Sequence, residues 1–408
     1  MFIVRRLIWP CFALLFLLVA CQSSEDSLSR LDPASGVTDT EIRIGSSLAL
    51  SGHASYLGVQ TLRGAQSYIN HINDSGGIHG RTIKIVTLDD QYDPPKCLHN
   101  TQGLIVDEQV FCLFSYVGTP TTGRIVPVIE KCRVPLVGAL TGARALREPF
   151  RRYVVNVRAS YYQETAAAVK HLVEDLNISR IGVFYQYDSY GFDGLRGTEL
   201  ALQHYGLTPV ASGSYIRGTL DVGDGLSNIL ASDAEAVVMI GTYEPSARFI
   251  QLAKASGKSI LFYNVSFVGG EELVRLLGSL GENVIVSEVV PPPTMPSAQS
   301  PHGGVREYIE LLKRYYPQET PNFVGLEGYF NARILVEGLR RAGRNLTRES
   351  FIDAIDTIRD YNIGLGNTVT FGPSDHQGMD QVYFTRISNG TLHLISDWKA
   401  FAAGLGQP

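Results

Sequence analysis

From Thr40 onward, short β-branched runs alternate with amphipathic stretches. The runs Ile42 to Ser46, Thr82 to Leu88, Phe111 to Ser115 and Val134 to Gly138 predict strands, and Gly58 to Asp74, Lys96 to Glu108 and Thr121 to Lys131 predict helices between them. Strand, helix and strand in steady succession means parallel βαβ units with right-handed crossovers. A second series opens at Arg180 to Tyr185 and continues through Pro209 to Tyr215, Ala236 to Ile240, Ile260 to Tyr263 and Val284 to Val290, with helices such as Tyr190 to His204 and Pro245 to Ser256. The two series echo each other: Ile44-Gly45 leads to Leu62-Arg63-Gly64, and Ile181-Gly182 leads to Leu195-Arg196-Gly197. The reading is an α/β chain of two doubly wound lobes.

Before Thr40 the pattern is different. Arg5-Arg6 precedes an apolar run from Leu7 to Val19, too short and wrongly flanked for a stable membrane span, so residues 1–20 read as a cleaved export signal. Residues 21–39, rich in Ser, Asp, Pro and Gly, read as a solvated tether.

Composition sharpens this in a few respects. The 408 residues exceed one typical domain and suit two. With 44% hydrophobic and 18% charged residues the chain is globular rather than disordered. The formal charge of −5, with no stripe of Lys and Arg, argues against nucleic-acid binding, which rests on many clustered phosphate contacts.

Ligands of open parallel sheets sit beyond the carboxyl ends of the strands. The loops expected there are rich in hydroxyls and aromatics: Ser51 to Tyr56, Tyr116 to Thr122, Leu140 to Gly142, Tyr187 to Gly191 and Gly241 to Pro245. Thr119, Thr121 and Thr122 stand at a helix start, where unpaired N–H groups and the positive dipole end attract a carboxylate, although plain N-capping accounts for threonines there as well. Tyr56, Tyr116, Tyr187 and Phe267 are candidate cleft walls or core. Enzymatic readings fare poorly: the Gly191 to Gly197 stretch lacks dinucleotide glycine spacing, no G-x-S-x-G elbow appears, and the histidines show no metal-binding spacing. No catalytic residue, metal or cofactor is expected. An exported location permits a disulfide, and strand and helix order favours Cys112 with Cys132, with Cys97 to Cys112 as the rival.

Two resemblances add to this. Leu18-Val19-Ala20-Cys21 resembles a bacterial lipobox, which implies cleavage before Cys21 and a diacylglycerol on its thiol, so that the protein is exported and lipid-anchored at the periplasm or cell surface. Ile42-Arg43-Ile44-Gly45 with Leu50-Ser51-Gly52, then Ile72 to Arg81, Asp89-Asp90 with Asp93-Pro94, Gly118-Thr119-Pro120-Thr121, Asp188 to Gly191 and Thr370 to Gly378 together resemble the type I periplasmic ligand-binding proteins, in the Leu/Ile/Val-binding branch that serves ABC importers. That resemblance implies two Rossmann-like lobes with three hinge crossovers. Lobe one would take residues 40–157 plus 291–372, and lobe two 158–290 plus 373–408. It implies an amino acid or related small carboxylate bound by cleft closure in a monomer that docks on an ABC permease; a sensory lipoprotein signalling to a membrane partner is the alternative. Thr119 and Thr121 match the family's first carboxylate-binding loop, and Leu140, Thr141 and Gly142 the second; Tyr190 and Tyr243 match its lobe-two aromatics. The family's ammonium-binding acid has no match in Asn264 to Gly270, which leaves Asp188 or Glu244 as substitutes, or a ligand without an α-amino group.

Overall fold

The structure, a computed structural model, describes residues 32–293 and 300–405. The expected export signal, Cys21 and residues 22–31 lie outside the described residues. In lobe one, β1 (Glu41–Leu48), β2 (Thr82–Asp89), β3 (Cys112–Phe114), β4 (Leu136–Val137) and β5 (Val154–Val155) form a parallel sheet in the order β2-β1-β3-β4-β5. Its helices are α1 (Ser55–Asp74), α2 (Pro94–Val106) and α3 (Thr119–Cys132). The chain then enters lobe two through α4 (Tyr161–Lys170). There β6 (Ile181–Gln186), α5 (Ser189–His204), β7 (Ser212–Tyr215), α6 (Gly223–Ala231), β8 (Ala236–Ile240), α7 (Tyr243–Ala255), β9 (Leu261–Asn264), α8 (Gly270–Leu277) and β10 (Ile285–Glu288) follow. These strands run in the order β7-β6-β8-β9-β10. Both lobes therefore share the doubly wound order 2-1-3-4-5, with a switch point beside the first strand of each.

The internal repeat has a physical basis in close packing. A Cβ on Gly58 would sit 1.8 Å from Ala49 O, and one on Gly191 1.8 Å from Gln186 O, so each helix start lies flat against the strand end before it. Six residues on, Gly64 lets α1 meet α10 (Phe323–Ala342) at Gly325, and Gly197 lets α5 meet α4 at Thr165.

After β10 the chain returns to lobe one as α9 (Gly303–Tyr315), α10, α11 (Arg348–Ile355) and the small ribbon of β11 (Tyr361–Asn362) and β12 (Thr368–Val369). It crosses a third time to add β13 (Tyr383–Ser388) and β14 (Thr391–Leu394) antiparallel at the β10 edge, and ends in α12 (Trp398–Gly404). The first and third crossovers lie side by side, with Asn156 bridged to Gln377.

Two expectations are corrected. The tether does not extend to Asp39: from Asp32 the chain is pinned to lobe one, where Arg43 N–H donates to Gly36 O (2.8 Å) and Arg348 N–H to Pro33 O (3.0 Å). Gly36 has φ +81°, and a side chain there would strike Phe111 N. The Cys112–Cys132 bridge is also absent, and Cys97, Cys112 and Cys132 are all free and buried. Alternation along β3 explains it: Cys112 and Phe114 face the α1 and α10 side, whereas Leu113 faces the α2 and α3 side with Cys97 and Cys132. The sheet separates Cys112 from both of the other thiols.

Candidate functional site

The carboxyl ends of the two sheets face each other across the gap between lobes. On lobe one, β3 ends in a tight turn at Ser115 (φ +53°) and Gly118 (φ +94°), where a Gly118 side chain would overlap the Tyr92 ring. That turn delivers α3 with Thr119 at its first position. The first N–H groups of a helix have no partner within it, and Pro120 has none, so Thr119 and Thr121 present the free N–H groups of this end. Thr119 and Thr141 share a hydroxyl–hydroxyl hydrogen bond of 2.7 Å, which brings the two expected carboxylate loops together. Thr121 takes a different part: its hydroxyl donates back to Val117 O and Gly118 O and is turned away from the gap. Leu140 and Gly142 act through the backbone. Leu140 O accepts from Gly118 N–H (3.1 Å), and Gly142 O accepts from Tyr161 N–H (2.9 Å), at a place where a Cβ would clash with Tyr161.

On lobe two, Asp188 caps α5 by accepting from Tyr190 N–H (3.0 Å), which turns the fully buried Tyr190 ring into the gap. Tyr190 stacks obliquely between Tyr161 (5.2 Å) and Phe267 (4.9 Å), and Phe267 reaches Tyr92 of lobe one (6.0 Å). Gln186 binds the Tyr215 hydroxyl (3.0 Å), and Tyr215 accepts from Thr242 N–H (3.0 Å) beneath this box. The Tyr161 hydroxyl is buried beside Thr141 but outside hydrogen-bonding geometry, and burial pushes its pKa up to about 12.

Aromatic positions expected as walls separate into three groups. Phe267 and Tyr190 line the gap. Tyr56 and Tyr243 form its outer latch: the rings meet edge-on at 6.1 Å, Tyr56 N–H approaches the Tyr243 hydroxyl at 3.5 Å, and the Tyr56 hydroxyl donates to Glu271 of lobe two (3.2 Å). Glu271 also accepts from Phe323 N–H of lobe one (2.8 Å). Tyr187 and Tyr116 leave the site altogether. Tyr187 is 56% exposed against Phe192, and Tyr116 is core on the α2 and α3 side, bonded to Thr101 (3.0 Å).

The electrostatics are those of a gap whose acids are already engaged. Asp188 pairs with Arg217 (3.2 Å) and accepts from Gln186 (2.7 Å); burial raises its pKa against the pull of Arg217. At the hinge, Arg158 bridges Glu164 of lobe two (2.9 Å) and Glu327 of lobe one (3.3 Å), and all three are buried. Burial, reinforced by Glu164, pushes the Glu327 carboxyl up to about 7 despite Arg158. One apolar cluster runs without a break from Leu48, Leu57 and Leu140 of lobe one to Tyr190, Tyr243 and Phe267 of lobe two, so the lobes are closed on each other.

Tyr92, Tyr161, Gln186, Tyr215, Arg217 and Glu271 were not singled out in the sequence. Tyr92 lies two residues past the Asp89-Asp90 pair, which is the one local signal among them; the rest meet only through folding and closure. Among the described residues no cluster of acids, histidines and cysteines could hold a metal ion, and no helix is long and apolar enough to cross a membrane.

Two like lobes, joined by three crossovers and enclosing a box of aromatics and hydroxyls, have the architecture of a solute-binding protein. Residues 41–391 match the periplasmic binding protein family, and the chain belongs to it. It is 26% identical over 333 residues to Leu/Ile/Val-binding protein homolog 7 of Brucella abortus (strain 2308), covering 77% of this chain and 81% of that one. A possible leucine/isoleucine/valine-binding protein from Rhodopirellula baltica SH 1 superposes with TM-score 0.84 at 35% identity, covering 90% of this chain and 99% of that one. A substrate-binding periplasmic protein from Ralstonia solanacearum gives TM-score 0.81 at 29% identity, covering 87% and 100%. The protein is thus an extracytoplasmic solute-binding protein of the type that serves ABC transporters, and not an enzyme.

Proposed function

We propose that this protein is a monomeric, lipid-anchored receptor that captures an amino acid or a deaminated relative and hands it to an ABC permease. Lobe one would comprise residues 40–157 plus 291–372, and lobe two 158–290 plus 373–408. The ligand carboxylate would lie on the Thr119 and Thr121 N–H groups and the Thr119–Thr141 hydroxyl pair. Its apolar body would lie among Tyr161, Tyr190 and Phe267. The observation that carries this reading is the Thr119–Thr141 pair at a helix N-terminus, set across the closed gap from Tyr190. Each lobe supplies only part of the contacts, so the ligand favours closure by binding the closed state better.

An α-amino group gains little here. Asp188 is already paired with Arg217, and Glu271, its pKa raised by burial, accepts from the Tyr56 hydroxyl and Phe323 N–H at the outer latch. Glu244, half-buried in the first turn of α7, is the acid left near the gap. An unpaired ammonium in a closed cleft would cost several kcal/mol. Titration calorimetry with L-leucine and 4-methyl-2-oxopentanoate, which differ only at that group, tests the point. The reading expects the oxo acid to bind at least as tightly as the amino acid; tight binding of leucine alone would put its ammonium on Glu244 and overturn that preference.

A further inference from the structure

On the flank of the hinge, away from the gap just described, lies a second hollow of about 640 Å³. Lobe one lines it with Arg147, Phe150 and Asn156, lobe two with Tyr162 and Gln163, and the third crossover with His376. None of Thr119, Thr141, Tyr190 or Phe267 borders it.

Its charge is unbalanced in one place. Arg144 pairs with Glu148 (2.5 Å) and Arg151 with Glu130, whereas Arg147 donates only to neutral oxygens: Gln377 Oε1 (2.8 Å), Ala143 O (2.8 Å) and Arg158 O (2.9 Å). Among the described residues no carboxylate lies within ion-pair distance of it. Three bonds leave two of the five guanidinium N–H groups uncommitted. Burial and the nearby Arg158 push its pKa down to about 10, so it stays charged at neutral pH.

The walls also hold unmet acceptors. Asn156 Oδ1 and His376 Nδ1 are buried without partners, although Asn156 Nδ2 donates to Leu146 O (3.1 Å) and His376 Nε2 is bonded to Asp356 (2.8 Å). Both atoms lie behind the wall and out of reach of the hollow, so they leave the wall polar without offering a contact. Above them the Phe150 ring stands 39% exposed, 4.9 Å from the His376 ring, and offers a flat apolar face.

A guanidinium with no direct ion-pair partner and two uncommitted N–H groups, beside a partly uncovered aromatic ring, describes one occupant. We infer that the hinge hollow is a second ligand site, which takes a small aromatic carboxylate, with the carboxylate on Arg147 and the ring against Phe150. Such a molecule touches both lobes and the third crossover at once. It therefore ties the hinge in the closed geometry, and by linkage favours whatever the gap holds.

The test is fluorine NMR of 3-fluoro-4-hydroxybenzoate titrated with the purified protein. Saturable broadening is expected with the wild type and also with Thr119→Val, which disables the gap and not the hinge. Arg147→Gln should weaken it roughly tenfold or more, the loss expected for a charge-assisted hydrogen bond. Phe150→Ala, at a position 39% exposed, should weaken it about threefold, as loss of one ring contact does, with the melting temperature measured alongside to show that the variant is folded. Absence of saturable binding to the wild type at about millimolar probe, the weak limit for a small ligand, overturns the inference. So does binding that Thr119→Val abolishes, or that Phe150→Ala leaves untouched.

Discussion

Two threonines two residues apart do opposite things. Thr119 shares its hydroxyl with Thr141 at the mouth of a helix, while Thr121 spends its own on the preceding turn. Thr119→Val, which keeps shape and removes one hydroxyl, is expected to weaken ligand binding by about 10- to 100-fold, the range for a hydrogen bond to a charged group. Thr121→Val should change affinity by less than about threefold, a neutral bond being remade locally. Thermal shift with ligand present measures both, since binding to the native state alone raises the midpoint; equal losses in the two variants would contradict this division. Thr119, Thr141 and Tyr190 were legible in the sequence because each sits on a strand-to-helix loop whose place the alternation predicts. Tyr92, Tyr161 and Glu271 were not, because nothing local marks a residue that acquires its role from the opposite lobe. Tyr187 misled for the reverse reason: an aromatic on the right loop points outward to Phe192.

At the scale of elements, close approach of backbones dominates. A Cβ on Gly328 of α10 would lie 2.0 Å from Thr61 O of α1, with no side chain that could yield. Gly328→Ala should therefore destabilise the protein by about 1–3 kcal/mol, as overpacking does. Gly123, exposed on α3 with nothing within 4 Å of a new Cβ, should gain about 0.4–1 kcal/mol from the same change. Urea unfolding distinguishes them, and destabilisation by both would mean that packing is not the cause. The parallel strands and their helices were readable from period alone. The elements after Val290 were not, because α10 buries fifteen of its 20 residues and its polar stripe of Arg333, Glu337, Arg340 and Arg341 is confined to its second half. The antiparallel β13 and β14 likewise extend a sheet that βαβ succession predicts to be wholly parallel.

For the molecule as a whole, the hinge charge cluster and the anchor each make a testable statement. The folded protein holds the Glu327 proton up to about pH 7, whereas an unfolded chain releases it near the ordinary 4.5. The folded state binds more protons in that window, so this group's contribution falls as pH rises from 4.5 to about 7 and is flat above it. Asp90 and Asp193, each pushed up to about 6 by burial, slope the same way, so the comparison must be a difference. Relative to Glu327→Gln, the wild type should have its melting temperature most favoured near pH 5 and least favoured near pH 7.5, values that bracket the window; a difference independent of pH would remove Glu327 from the account. The anchor is read through detergent-phase partitioning of the expressed protein: the native chain should enter the detergent phase, and Cys21→Ser the aqueous phase. Most direct of all is mass spectrometry of the small molecules released when the natively purified protein is denatured. The account predicts one small carboxylate per chain, lost from Thr119→Val; a neutral or cationic compound in its place, or a carboxylate that Thr119→Val retains in full, would contradict it.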